Sequence, residues 1–142
     1  MSVVLQYVSH PVDGLDSALL AVILGADPVL DAPLQVIDAG LHGALRRSFE
    51  RRDFRGNRDE TMLLVGGERG LQRVLLVGRG TAPLTRVSAR RAAAIAARQA
   101  ARLGTGSLHL WAPDATDEAI EGFASGAAAG AWTYTDLQRK AP

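Results

Sequence analysis

Residues 54–80 read Phe54-Arg55-Gly56-Asn57-Arg58-Asp59-Glu60-Thr61-Met62-Leu63-Leu64-Val65-Gly66-Gly67-Glu68-Arg69-Gly70-Leu71-Gln72-Arg73-Val74-Leu75-Leu76-Val77-Gly78-Arg79-Gly80. Two apolar runs, 61–67 and 71–77, flank a Gly-Glu-Arg-Gly turn. Runs of this length joined by a glycine turn predict an antiparallel hairpin. The second run is Val and Leu throughout, which predicts a strand covered on both faces and placed centrally in its sheet. Residues 53–60 are polar and predict a loop leading into the pair.

Working outward, residues 2–8 alternate loosely and predict a first strand. His10-Pro11-Val12-Asp13-Gly14 reads as a turn. Ala18-Leu19-Leu20-Ala21-Val22-Ile23-Leu24 is a continuous apolar run, short for a helix and suited to a doubly covered strand. From Pro33 to Arg52 the period changes. Leu34, Ile37, Leu41, Leu45 and Phe49 fall at spacings of three and four, one stripe of a helix. Asp31 suits its cap and Pro33 its first turn. Gly40 and Gly43 weaken it, by about 1 kcal/mol each relative to Ala. Beyond the hairpin, the alanine-rich segment 86–103 predicts the strongest helix, stopped by Gly104. Ser107–Trp111 predicts a fifth strand. Thr116 to Gly130 predicts a last helix capped by Thr116, followed by a fraying polar tail, 135–142. The order β-β-α-β-β-α-β-α implies an α/β fold, a mixed sheet covered on both faces.

The chain has 142 residues, enough for one domain with its own core, and a net charge of +1. That balance gives no global pull toward nucleic acid or membrane. There is no cysteine, which removes disulfides, a thiolate nucleophile and thiolate metal sites. The amino terminus lacks the basic segment of a signal peptide, and no apolar run reaches the ~20 residues of a bilayer span. A cytoplasmic location is expected.

Chemistry-bearing patterns are sparse. His10, His42 and His109 lie far apart without a partner at ligand spacing, so each reads as structural and no metal site is expected. No G-x-S-x-G is present. Gly78-Arg79-Gly80, with Thr81, follows a buried strand and precedes a helix, a place where a phosphate group can sit. Position 83 is Pro, where the fingerprint G-x-G-x-x-G requires its third glycine. These residues therefore read first as a turn, with a nucleotide-binding loop as the alternative. Arg46, Arg47, Arg51 and Arg52 form a basic cluster that could meet DNA phosphates. Glu50, Asp53, Asp59 and Glu60 are interleaved nearby, which favours a solvated, ion-paired surface. Arg91, Arg98 and Arg102 share the expected solvent side of the alanine helix.

The ordered combination of Asp53-Phe54-Arg55-Gly56, a hairpin ending in Val77-Gly78-Arg79-Gly80, an Arg/Ala helix and Gly130-Ala131-Trp132-Thr133-Tyr134 resembles the amino-terminal domain of the leucyl (cytosol) aminopeptidase family. The family pattern is phenylalanine-x-glycine-lysine, a hairpin ending in valine-glycine-leucine-glycine, and a late glycine-x-tyrosine-x-phenylalanine. Asn57, Arg79, Trp132 and Tyr134 depart from it. The resemblance implies a macro-domain-like fold, a three-layer α/β/α sandwich with a mixed sheet over residues 1–134, with 135–142 leading toward a catalytic domain. It implies that two divalent metals, zinc or manganese, belong to that catalytic domain, which this sequence does not contain. No cofactor, catalytic residue or metal ligand transfers to this chain. The implied partners are the catalytic domain of the same protein and the other subunits of a homo-hexamer. Some bacterial members of the family also bind DNA.

Overall fold

Alternation along the strands sorts the apolar side chains onto two faces of one sheet. The computed structural model describes residues 4–7 and 17–140, with side chains for 17–128. The turn expected at His10–Gly14 lies outside the described residues. The strands are β1 (Val4–Tyr7), β2 (Leu20–Gly25), β3 (Thr61–Val65), β4 (Arg73–Gly80) and β5 (Ser107–Trp111). The helices are α1 (Ala32–Gly40), α2 (Ala44–Glu50), α3 (Arg86–Leu103) and α4 (Asp117–Lys140). The sheet runs β1-β5-β2-β4-β3, parallel except for β3, which pairs antiparallel with β4 as the hairpin reading expects.

Leu20, Val22 and Leu24 of β2 and Val74 and Leu76 of β4 pack with Leu34, Ile37, Leu45 and Phe54 beneath α1 and α2. Ala21, Ile23, Leu75 and Val77 pack with the alanines of α3 and with Phe123 of α4 on the opposite face. Strands β2 and β4 are thus covered on both sides, which is why their central residues are apolar without a polar alternate. β4 lies inside the sheet, but β2 is its middle strand. The mixed α/β/α sandwich expected from the sequence is the architecture observed.

Three boundaries differ from the sequence reading. The single helix expected over 33–52 is two. His42 (φ 54°) and Gly43 (φ 84°) adopt the left-handed conformation, which a right-handed helix cannot continue through. Asp31 caps α1, its carboxylate accepting from Leu34 N at 3.1 Å. α2 has only Gly43 at its cap position, and the buried Asp38 of α1 takes over the capping, accepting from Arg46 N at 3.0 Å. Second, Gly78-Arg79-Gly80 is not a turn but the last stretch of β4. Strand β2 remains paired there through Leu24↔Gly78 and, after a register shift, Gly25↔Gly80. Third, α4 does not stop at Gly130 but runs to Lys140. Helix α3 matches its expected span, with a capping box between Thr85 and Ser88 and a left-handed Gly104 at its end.

Candidate functional site

The glycines that closed the opening motif serve close packing. Loop 53–60 lies across the ends of β2 and β4. A Cβ on Gly78 would strike the Asn57 carbonyl oxygen and come within 2.7 Å of Gly56 C; one on Gly56 would strike the Gly25 carbonyl oxygen. Backbone bonds latch the loop down: Gly78 N to Glu60 O at 2.8 Å, Gly80 N to Gly56 O at 2.9 Å and Asp27 N to Arg55 O at 2.8 Å. The Glu60 carboxylate accepts from Arg55 N and Asn57 N at 3.1 and 3.0 Å. A phosphate-cradling loop needs free N–H groups. Those of Gly78 and Gly80 are already donated within the fold, and Thr81 is exposed just beyond the strand.

Arg79 points the other way and builds the more specific feature. Its guanidinium lies 3.1 Å from where a Gly25 Cβ would stand, so a side chain there would displace it. Nη2 donates to Asp114 Oδ2 at 2.6 Å and Nη1 to the Ala82 carbonyl, while Nε is buried with no partner among the described residues. The Arg79 side chain is only 14% exposed. It closes one end of a groove of about 370 Å³ lined by Gly25, Ala26, Pro28, Val29 and Asp114 at the carboxyl ends of the parallel strands. Ligands of open α/β sheets bind at that end. Among the described residues the groove carries one cation, Arg79, two carboxylates, Asp114 paired with it and the helix-capping Asp31, and otherwise apolar walls.

The arginine cluster 46–52 is largely tied down. Arg46 pairs with Asp38 at 3.7 Å, Arg52 with Asp27 at 3.5 Å, and Arg47 donates to the His42 carbonyl at 3.2 Å. On the opposite face, Arg91 makes a two-pronged pair with Asp59, Nε to Oδ1 at 2.6 Å and Nη2 to Oδ2 at 2.5 Å. The Arg91 hydrogen bond, helped by the charges of Arg91, Arg58 and Arg98, holds the Asp59 carboxyl below its usual range against the opposing effect of burial. The sequence reading placed Arg91, Arg98 and Arg102 on a plain solvent face. The structure places them along a groove of about 670 Å³ on α3 that Asp59 and Thr61, at the start of β3, also line. No linear motif marks that groove, because it depends on β3 being the last strand of the sheet.

His109 stays apart from both grooves. Burial pushes its imidazole pKa down, and Nδ1 lies 2.7 Å from Ser17 Oγ. Among the described residues no group of three His, Asp or Glu side chains could hold a metal, and no helix is long and apolar enough to cross a membrane.

Comparison with known proteins agrees with this architecture. No curated protein matches the chain. A solved structure of a tomato leucine aminopeptidase mutant superposes with a TM-score of 0.72 at 19% identity, covering 90% of this chain and 28% of that one. At that identity the likeness establishes the fold, and the chain spans 28% of the tomato enzyme's length. The family model described as the cytosol aminopeptidase family, N-terminal domain, matches residues 21–141. The chain belongs to the cytosol aminopeptidase family, and the part of the family it represents is the N-terminal domain.

Proposed function

We propose that the chain serves as the non-catalytic accessory and oligomerisation domain of a two-metal leucyl aminopeptidase, an enzyme that releases amino-terminal residues from peptides. The observation that carries this reading is the family match over 21–141, which falls on the N-terminal part. In the parent protein two zinc or manganese ions in a separate catalytic domain would polarise the scissile carbonyl and activate water. Residues 1–134 would pack beside that domain and help shape a homo-hexamer in the cytoplasm. The test is direct. With zinc or manganese supplied, this chain should release no leucine from leucine amide, and added catalytic domain should bind it. Metal-dependent turnover by the chain alone would overturn the assignment.

A second reading is favoured by one observation, the buried Nε of Arg79, without a partner among the described residues, at the wall of a strand-end groove. Arg79 would then hold a nucleotide or ADP-ribose phosphate without the Gly78 and Gly80 N–H groups, which are donated within the fold. Titration calorimetry with ADP-ribose decides it. Saturable heat that vanishes in Arg79→Met supports the site, and silence at millimolar ligand ends it.

A further inference from the structure

We propose that the open edge of β3, together with the arginine face of α3 beside it, takes up an extended acidic segment of a partner protein as an added strand. This inference does not depend on the peptidase reading.

Among the described residues β3 ends the sheet, with β4 as its one neighbour. The register is Thr61↔Val77 through Val65↔Arg73, with Gly78 N bonded to Glu60 O and Gly66 N to Gln72 O. Hydrogen-bonded pairs alternate along an antiparallel ladder. The even residues Met62 and Leu64 therefore bond to β4. The odd residues Thr61, Leu63 and Val65 turn their N–H and C=O groups outward. Their side chains lie on the α3 side, because Met62 and Leu64 pack in the α1/α2 cluster and alternate residues of a strand face opposite ways. Leu63 is 39% exposed and Val65 70%. Natural sheets blunt such an edge with charge, proline or a bulge. The run Thr61-Met62-Leu63-Leu64-Val65 has none of these.

The flank specifies the occupant. Arg90, Arg98 and Arg102 line the groove of about 670 Å³ that Thr61, the first residue of β3, also lines, and their side chains make no ion pair or hydrogen bond among the described residues. Arg91 is occupied by Asp59. Arg98 and Arg102 are one turn apart, about 6 Å along the helix axis. Residues two apart on one face of a strand are spaced by about 6.8 Å. Carboxylates at alternate positions of an added strand thus meet successive arginines, while its backbone meets the outward groups of Leu63 and Val65. A second copy of the chain is the poorer occupant, since pairing two β3 edges brings two unneutralised arginine faces together. A polynucleotide matches the charge but leaves the outward N–H and C=O groups unused.

The test uses the full chain and the synthetic peptide Glu-Val-Glu-Val-Glu-Val. Binding should weaken with salt and should slow hydrogen exchange at the amides of Leu63 and Val65 by at least tenfold, with Met62 and Leu64 unchanged. Arg98→Ala with Arg102→Ala should weaken it by about twofold to thirtyfold, the range expected for two exposed pairs. N-methylation of alternate peptide amides provides a control that leaves the protein intact. Methylation of the set facing β3 should abolish binding, and methylation of the other set should not. No exchange protection at millimolar peptide overturns the proposal. Equal loss from both methylated peptides overturns it as well. Protection of the same amides on raising protein concentration alone assigns the edge to a second copy and overturns the acidic-partner assignment. Competition by single-stranded DNA that leaves these amides exchanging freely assigns the arginines to nucleic acid, with the same consequence.

Discussion

The two faces of the sheet are built by different means. Under α1 and α2 the contacts are large side chains, Leu34, Ile37, Leu45, Phe54 and Trp111, and the helices are short and broken at His42-Gly43. Under α3 and α4 they are alanines, and the helices approach backbone to backbone at Gly122 and Gly126. The arginines divide the same way. On the first face Arg46, Arg47 and Arg52 are tied to Asp38, a carbonyl and Asp27, leaving Arg51; on the second, Arg90, Arg98 and Arg102 remain unpaired among the described residues along a groove. A dense basic cluster in sequence can therefore be the less available one in space.

The comparison breaks most severely if the large-residue face is hollowed. Phe54 is 1% exposed and anchors the loop beneath α1 and α2. Phe54→Ala should cost about 3–5 kcal/mol, read from the urea midpoint. The alanine face should fail in the opposite sense, by overfilling. Gly126→Ala improves helix propensity by about 1 kcal/mol but drives a methyl against Arg90, whose Cα would lie 2.8 Å away. A net loss of about 1–3 kcal/mol is expected. A gain would mean that α3 and α4 are not in backbone contact.

A smaller effect separates the two arginine sets. Replacing Arg90, Arg98 and Arg102 by Ala should lower the salt needed for elution from heparin more than replacing Arg46, Arg47, Arg51 and Arg52. The reverse order would show that the pairing of the α2 set with Asp38, Asp27 and the His42 carbonyl does not persist in solution.

The smallest effects are in pH. Burial lowers the His109 pKa, and its strand partner Leu20 packs on the α1/α2 face. The unfolded chain then binds the proton more readily than the folded one. Stability should fall as pH drops through the ordinary imidazole value of about 6.5 and level off below the depressed folded value. His109→Gln should flatten that slope. Asp59, on the α3 side, is depressed chiefly by Arg91. Its contribution should persist at neutral pH and disappear only as pH falls below the usual carboxylate range, and Asp59→Asn should remove that second decline.

Strand and helix identities were legible wherever period and composition agreed. The run 18–24, the hairpin, the α3 span and its Gly104 stop all follow from local chemistry. The break at His42-Gly43 was visible as two weak glycines but not as a break. Five stripe residues continued through it, and the decisive contact is Asp38 reaching Arg46 N from the preceding helix. Gly78-Arg79-Gly80 looked like a turn because a turn and a crowded strand end both need glycine. The crowding comes from Gly56 and Asn57, some twenty residues earlier in the chain. The Arg79–Asp114 pair spans 35 positions and has no spacing rule to reveal it.

By itself the sequence determined the local elements, the two-faced cover of β2 and β4, and the resemblance to one family, because propensity, periodicity and turn chemistry act over a few residues. Only the tertiary structure decided which strand is left at the edge, which arginines keep an unpaired charge, and which glycines touch backbone. Those properties depend on sheet order and on contacts between distant segments, and no single stretch of the chain encodes either one.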